Sequence, residues 1–281
     1  MRVLSQVQQL LVLNMLCEGT SLRSIARLTG IHRTTTARLL IRTADRLRPF
    51  ADARLRNLDL KHLQCDEIWT FVRKKQGRLK AHEIGNDRIG DQFLFVALDQ
   101  KTKLIPSFAL GKRTAETTCR FMDDLASRLT LAELDVVCDR PTISTDGWQA
   151  YPNAVDGAFA SRARYGQIIK TFGESEQPGR YGPPVLINSD RRVIFGEMEK
   201  WEICTSHVER NNLSIRTFMR RFTRLALGFS KKLEYLDAAI VVYVTHYNFC
   251  RLHGSLPGTP AMAAKVTGHP WTMEELLQEA G

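Results

Sequence analysis

Leu63-Gln64-Cys65-Asp66-Glu67-Ile68-Trp69-Thr70-Phe71-Val72 is the stretch on which the reading of the whole chain turns. Its β-branched and aromatic residues fit a pleated, half-buried surface, so it reads as a strand. Two acids stand side by side inside it. Consecutive strand side chains point to opposite faces, so only one of Asp66 and Glu67 is expected to face a given site. Asp66 is the candidate, and Glu67 takes its place if the strand register slips by one residue.

Working outward, residues 93–98 and 104–110 have the same strand-forming composition and flank Asp99-Gln100-Lys101-Thr102-Lys103, a hairpin loop in which Asp99 reads as a turn residue. Residues 114–129 read as a helix that buries Phe121, Met122 and Leu125. Residues 142–145 form a strand ending at Asp146-Gly147, and 168–172 form another. Gly, Pro and charge dominate 173–184, which reads as a loop or insertion. Helices are expected from 206 to about 227 and from 230 to about 251, with Gly228 as the break. Thr272 and Glu275 form a capping box for a last short helix.

Ahead of the strands lie three expected helices. Residues 6–17 carry a stripe of Leu10, Leu11, Leu13 and Leu16; Ser21 then caps a helix over 22–29; a turn at Gly30-Ile31-His32 leads to a third over about 33–44. Pro49 marks the exit into a basic, partly helical linker over 46–62. Ile25, Ala26, Gly30, Ile31 and Leu39 occupy the packing and turn positions of a helix-turn-helix, while Thr36 departs from the usual apolar choice. The exposed side of the third helix offers Arg33, Thr34, Thr35, Arg38 and Arg42, residue types that bond phosphates and base edges in a major groove. The alternative is a plain three-helix bundle with solvated arginines.

Charge favours the first reading. Of 281 residues, 40 are Lys or Arg and 30 Asp or Glu, a net +10 that suits a polyanionic partner. The first 60 residues hold ten basic side chains against four acidic ones. From 210 to 232, Arg210, Arg216, Arg220, Arg221, Arg224, Lys231 and Lys232 meet no acid. The longest uncharged apolar run, 238–244, is far short of the roughly 20 residues that span a bilayer, so no membrane contact is expected. Gln6, Gln8, Gln9 and Asn14 interrupt the N-terminal apolar stretch, which reads as a helix and not a signal peptide. Six scattered cysteines without a Cys-x-x-Cys pair suit free thiols in a reducing cytoplasm.

Metal-assisted phosphodiester chemistry needs clustered carboxylates, because Mg²⁺ (or Mn²⁺) prefers hard oxygen ligands, and two ions about 3.5–4 Å apart serve attacking and leaving oxygens. Asp66 on a strand, Asp146 at a strand end and Glu209 in a helix's first turn can be gathered by folding into such a site. Each also has a plain reading: Asp66 as a solvated strand residue, Asp146 as a turn aspartate, Glu209 as the partner of Ser206 in a capping box. His207 is close enough to Glu209 to touch substrate or to cap the helix. Trp69 and Trp148 can stack on an unpaired base or pack in the core. Asn211, Asn212 and Arg216 lie on or beside the Glu209 face by helical spacing and are candidate phosphate contacts, with Arg210, Arg220, Arg221 and Arg224 gripping the backbone.

Residues 66–72 (DEIWTFV), 145–151 (TDGWQAY) and 205–212 (TSHVERNN) resemble, in that order, the three signature blocks of IS-one family transposases, members of the DDE group of insertion-sequence enzymes. The likeness extends through Arg220-Arg221-Phe222-Thr223-Arg224-Leu225 and Phe229-Ser230-Lys231-Lys232 to Tyr247-Asn248-Phe249-Cys250-Arg251. Residues 18–25 and 29–33 are similar to that family's DNA-reading helix-turn-helix. The resemblance implies an α/β (α+β) ribonuclease-H-like core over 63–255, with a mixed sheet flanked by helices and an insertion at about 173–204. An all-α helix-turn-helix domain over 1–45 precedes it, and a tail with a short helix follows over 256–281. It further implies Asp66, Asp146 and Glu209 as ligands of a pair of Mg²⁺ ions, terminal inverted repeats and target DNA as partners, and a homo-oligomer on DNA in the cytoplasm of a bacterium or archaeon. Many relatives carry a cysteine-rich zinc module ahead of the helix-turn-helix; none is found here, so end recognition is expected to differ. A nuclease or resolvase on the same fold, or a non-catalytic helix-turn-helix regulator, are the rival readings.

Overall fold

β1, His62–Val72, is central to a six-stranded mixed sheet. The other strands are β2 (Gly90–Asp99), β3 (Phe108–Gly111), β4 (Thr142–Asp146), β5 (Arg164–Gly173) and β6 (Val185–Phe195), in the order β3-β2-β1-β4-β5-β6. These assignments come from a computed structural model that describes residues 4–131, 139–173 and 185–281. β1 runs antiparallel to β2 from Leu63 to Val72 but parallel to β4 only from His62 to Gln64. β4 is parallel to β5, and β5 antiparallel to β6. From Leu94 to Leu98 every side chain of β2 is buried, as a strand covered on both faces requires.

Helices cover both faces. In an antiparallel pair, opposed residues share a face. Glu67 is opposite Phe95, whose ring packs on Phe121 of α4 (Ala115–Arg128), so α4 lies on the Glu67 side. α5 (Tyr151–Phe159) packs on α4 there. Asp66 is opposite Val96 on the other face, where α6 (Ser206–Phe218) lies against β1 and β2. This mixed α/β architecture is compatible with the expected ribonuclease-H-like core.

α1 (Gln6–Cys17), α2 (Leu22–Thr29) and α3 (Arg33–Arg54) form where expected, with Ser21 capping α2 and Gly30 ending it at φ 70° in the left-handed region. The third helix, however, does not stop near residue 44 and passes through Pro49. The proline removes one backbone hydrogen bond, but the apolar stripe continues: Leu47 and Phe50 are buried, and Phe50 packs on Phe249 and Trp271 at 5.3 and 5.4 Å. α3 thereby lies along α7 (Leu233–Phe249), and one buried cluster runs from α1–α3 into the sheet. α8 (Pro260–Ala263) and α9 (Met273–Glu279) close the chain, α9 with the expected Thr272–Glu275 capping box. Gln6 and Arg54 bond Glu274 and Glu279, tying α9 to α1 and α3.

Of the strand expected over 104–110 only Phe108–Gly111 forms, as β3, and two further segments differ from expectation. α6 ends at Phe218 rather than near residue 227, because tertiary bonds draw the following residues away from the helix axis. Residues 185–195 of the unassigned 173–204 segment are a strand that extends the sheet edge through β5, with register shifts at two points. The loop expected over 174–184 lies outside the described residues. Five cysteines are free, Cys17 and Cys65 among them buried, which pushes both thiols well up; Cys138 is outside the described residues. Among the described residues no helix is long and apolar enough to cross a membrane.

Candidate metal centre

β4 stops at Asp146, and β1 has already lost it as a partner beyond Gln64. The sheet is therefore split where Asp66 and Glu67 stand. Their side chains do alternate, but the split lets a carboxylate from each face reach Asp146: one oxygen from each of Asp66, Glu67 and Asp146 lies within 4.8 Å of the others. The expectation that only one of the two neighbours can face the site is thus corrected, for the physical reason that alternation excludes a shared site only where the sheet is continuous.

Three anions so close disfavour their own ionisation. Burial and then the charge of Asp146 push the Asp66 carboxyl up to about 7, with Glu209 adding to the shift. The same two causes raise Glu67 to about 7. Partial relief comes from Arg113, at the turn between β3 and α4. It donates to Glu67 Oε2 from Nε at 3.1 Å and to Asp146 Oδ2 at 3.2 Å, and stacks on Trp148 at 4.2 Å. The buried Tyr151 hydroxyl on α5 adds a hydrogen bond to Glu67 that favours its charged form. Trp148 N in turn donates to Asp146 Oδ1 at 2.9 Å and Gln167 Nε2 to the Asp146 carbonyl at 3.0 Å, which fixes this corner of the site.

Arg113 stands where a bound cation's charge would be needed, which gives a first testable consequence. Arg113→Met is expected to lower metal-free stability by about 1–3 kcal/mol while tightening Mn²⁺ binding, since the ion no longer competes with a guanidinium. Titration calorimetry and thermal melts in chelator measure both; weaker Mn²⁺ binding in the variant would show that Arg113 organises the ligands instead.

Glu209, in the first turn of α6, is not one of the three clustered carboxylates; it stands near enough for Asp66 to feel its charge. The start of that helix is set from β1: Gln64 Oε1 accepts from the backbone N–H of His207 at 2.9 Å and of Val208 at 3.1 Å. The expected Ser206–Glu209 capping box does not form, because the N-cap is Thr205, whose carbonyl accepts from the Glu209 N–H at 3.0 Å, and the Glu209 carboxylate turns to other partners. Glu209 Oε1 instead accepts from Lys170 Nζ on β5 and from Thr205 Oγ1, both at 2.5 Å. One turn on, Asn212 Nδ2 donates to Asp66 Oδ2 at 2.7 Å.

The remaining candidates divide by exposure. Asn211 and Asn212 are buried, so Asn212 serves Asp66 where a phosphate contact was expected. Arg216 is half-buried, and Arg221 donates to Ser230 Oγ at 2.9 Å, while Arg210, Arg220 and Arg224 are exposed. His207 faces Lys103, whose Nζ lies 3.0 Å from Nδ1; burial and that charge lower its pKa. Trp69 packs on Phe71 under Lys75, and Trp148 donates to Thr118 Oγ1 at 3.2 Å. Asp99 is the turn residue expected, its Oδ2 accepting from Thr102 N at 2.7 Å. On α3, Arg33, Thr34, Arg38 and Arg42 are exposed and Thr35 half-buried; Thr36 is buried with Oγ1 unpartnered. Sequence reasoning missed Arg113, Lys170 and Gln64. Lys170 alone left a signal, a cation amid the apolar strand residues 168–172.

The donor set suits a hard divalent cation: clustered carboxylate oxygens whose proton affinities are raised by burial and then by one another's negative charge. Such a cluster, on a mixed sheet flanked by helices, defines an acid-centred α/β class of protein. No family model matches the chain. It is 25% identical over 186 residues, 66% of its length, to the insertion element IS1 protein InsB of Shigella sonnei, covering 95% of that relative. The same identity over 75% of the relative links it to the insertion element IS1 2 and IS1 9 InsB proteins of Escherichia coli K12. This is a distant similarity to proteins of insertion elements.

Proposed function

We propose that this chain is a DNA transposase that cleaves at the ends of an insertion sequence and joins them to target DNA. The observation that carries the proposal is the convergence of Asp66, Glu67 and Asp146 in a split sheet, with Glu209 close enough to raise Asp66 further. Asp66 and Asp146 would hold the cations, and Glu209, bonded here to Lys170 and Thr205, would be the third ligand. A bound pair of Mg²⁺ or Mn²⁺ ions supplies activation of the attacking oxygen and charge stabilisation at the leaving one. Asn212 orients Asp66, and Arg113 balances Glu67 and Asp146. The exposed arginines 210, 220 and 224 lie along the DNA backbone, and α3 presents Arg33, Thr34, Thr35, Arg38 and Arg42 to the terminal inverted repeats as the second helix of a helix-turn-helix. We take the active form to be a homo-oligomer on DNA in the cytoplasm.

The test is incubation of the purified protein with Mg²⁺, candidate end DNA carrying precleaved 3′ ends, and a plasmid target. A joined product that disappears in chelator is the expected result. Cutting without joining would make the protein a nuclease or resolvase, and metal-independent operator binding without cleavage a regulator.

A further inference from the structure

The segment between α6 and α7 is a pinned loop with an apolar tip. Its stem is held at several points: Thr223 Oγ1 donates to the Arg216 carbonyl at 3.0 Å, Thr70 Oγ1 to the Arg221 carbonyl at 2.8 Å, and Arg73 N to the Ser230 carbonyl at 2.8 Å. Phe229 stacks on Phe71 of β1 at 4.7 Å. The two arms touch at Gly228, where a Cβ would come within 2.3 Å of the Arg220 carbonyl oxygen. Between these pins Leu225 and Leu227 are 83% and 94% exposed, and Leu225 sits at φ 55°, a left-handed conformation that is unfavourable for leucine.

A single exposed leucine is unremarkable. Here two stand at alternate positions of one pinned loop, and among the described residues none covers them. The chemistry around them indicates the occupant: Arg220 and Arg224 belong to the same loop, Arg216 is close enough to feel Arg224, and the sequence holds no acid between 210 and 232. A protein partner would have to neutralise three crowded guanidinium groups, whereas duplex DNA presents phosphates on either side of an apolar base stack. Position agrees. Glu209, Asn212 and Arg216 follow one face of α6, and Arg216 feels both Asp66 and Arg224. Glu209 to Arg216 is about 10 Å along the helix axis, the rise of about three base pairs.

We propose that Leu225 and Leu227 are an apolar wedge that enters a base step of the DNA a few pairs from the cleaved bond, unstacking it while the flanking arginines hold the phosphates. Opening the stack there frees the strand end to reach the carboxylates. The inference rests on the DNA-processing reading of the site, and the experiment separates the two.

The probe is a short duplex rich in TA steps, which unstack most readily, with 2-aminopurine at successive positions, mixed with full-length protein in chelator. Wild type is expected to bind, by anisotropy, and to raise 2-aminopurine fluorescence at one or two adjacent positions. The double variant Leu225→Ser/Leu227→Ser should keep its affinity within about threefold, because phosphate contacts supply it, and lose the fluorescence rise. Both side chains are exposed, so a folded variant is expected, with circular dichroism as the check. Binding without any fluorescence rise in wild type, or an equal rise in the variant, overturns the wedge and leaves the DNA-processing reading standing. No binding at all removes that reading as well. A DNA-free wild-type dimer that the variant loses in sedimentation would assign the tip to a protein interface and also overturn the wedge.

Discussion

Asp66→Asn, Asp146→Asn and Glu209→Gln are each expected to reduce strand transfer by about 10³-fold or more, the scale of losing several kcal/mol of metal-centred charge stabilisation. Binding to end DNA should be nearly unchanged, since the exposed arginines and α3 lie outside the cluster. A second readout separates a catalytic carboxylate from one that merely supports the fold. Asp66 is buried and crowded by Asp146 and Glu209, and its charged form is destabilised; replacing it by a neutral isostere should therefore raise the metal-free melting temperature at pH 8 while abolishing activity. A structural acid would show the reverse pair, lower stability with residual activity. Glu67→Gln runs alongside as the rival: its carboxylate shares the cluster, but its Oε2 belongs to Arg113. A loss as deep as that of Asp66→Asn would place Glu67 among the metal ligands. Retained transfer in any of the three triad variants removes that residue from the site.

What the sequence made legible was local. β1 shows in its β-branched and aromatic run, β4 in its terminal Asp-Gly, α4 in the spacing of Phe121, Met122 and Leu125, and α9 in its capping box, because each signal depends on neighbours a few residues away. The misreadings arose where distant contacts decide. α6 carries no glycine or proline near Phe218, and it ends because Thr70 and Thr223 take the carbonyls of Arg221 and Arg216. β6 is exposed along nearly all its length and has one partner, so no alternation between core and solvent marks it. Pro49 looked like a terminator, but burial of Leu47 and Phe50 against α7 and α9 outweighs one lost hydrogen bond. Asp66 and Asp146 could be picked out singly, yet their proximity depends on the split between β1 and β4; the strand pattern alone argued against Glu67, which joins them, and Glu209 stands outside the cluster. Helix spacing placed Asn212 on the right face but assigned it to phosphate, whereas its partner is the Asp66 carboxylate. Arg113 left no local mark, because its role comes from where the turn after β3 falls relative to Asp146.

The second large effect is a pH-dependent stability that a divalent cation should reverse. Asp66, ordinarily near 3.8, is raised to about 7, and Glu67, ordinarily near 4.5, also to about 7. A carboxyl that binds its proton more tightly when folded favours the native state at low pH, so this contribution is full below about 4 and is lost as pH rises through about 7. The loss amounts to a few kcal/mol, roughly 10 °C in Tm for a chain of this length. An opposing group shares part of the window: burial and Arg251 push His246 down to about 4, so its contribution is lost as pH falls from about 6.5. The raw profile mixes the two, but the difference between wild type and Asp66→Asn cancels His246. In metal-free buffer that difference should widen in favour of the variant from pH 4 to pH 8. Because Asp66 and Glu67 both feel Asp146 and each other, they titrate as a cluster, and removing one charge should also lower the pKa of the other. Mg²⁺ or Mn²⁺ at pH 8 should then restore wild-type stability, by about 2.7 kcal/mol at a hundredfold excess over Kd. That gain should fade below pH 7 as protons compete for the same oxygens. Asp66→Asn should show little of it. Identical profiles for wild type and variant, or a wild-type Tm at pH 8 indifferent to both ions, would mean that these carboxylates do not form a cation site and that their crowding has another cause.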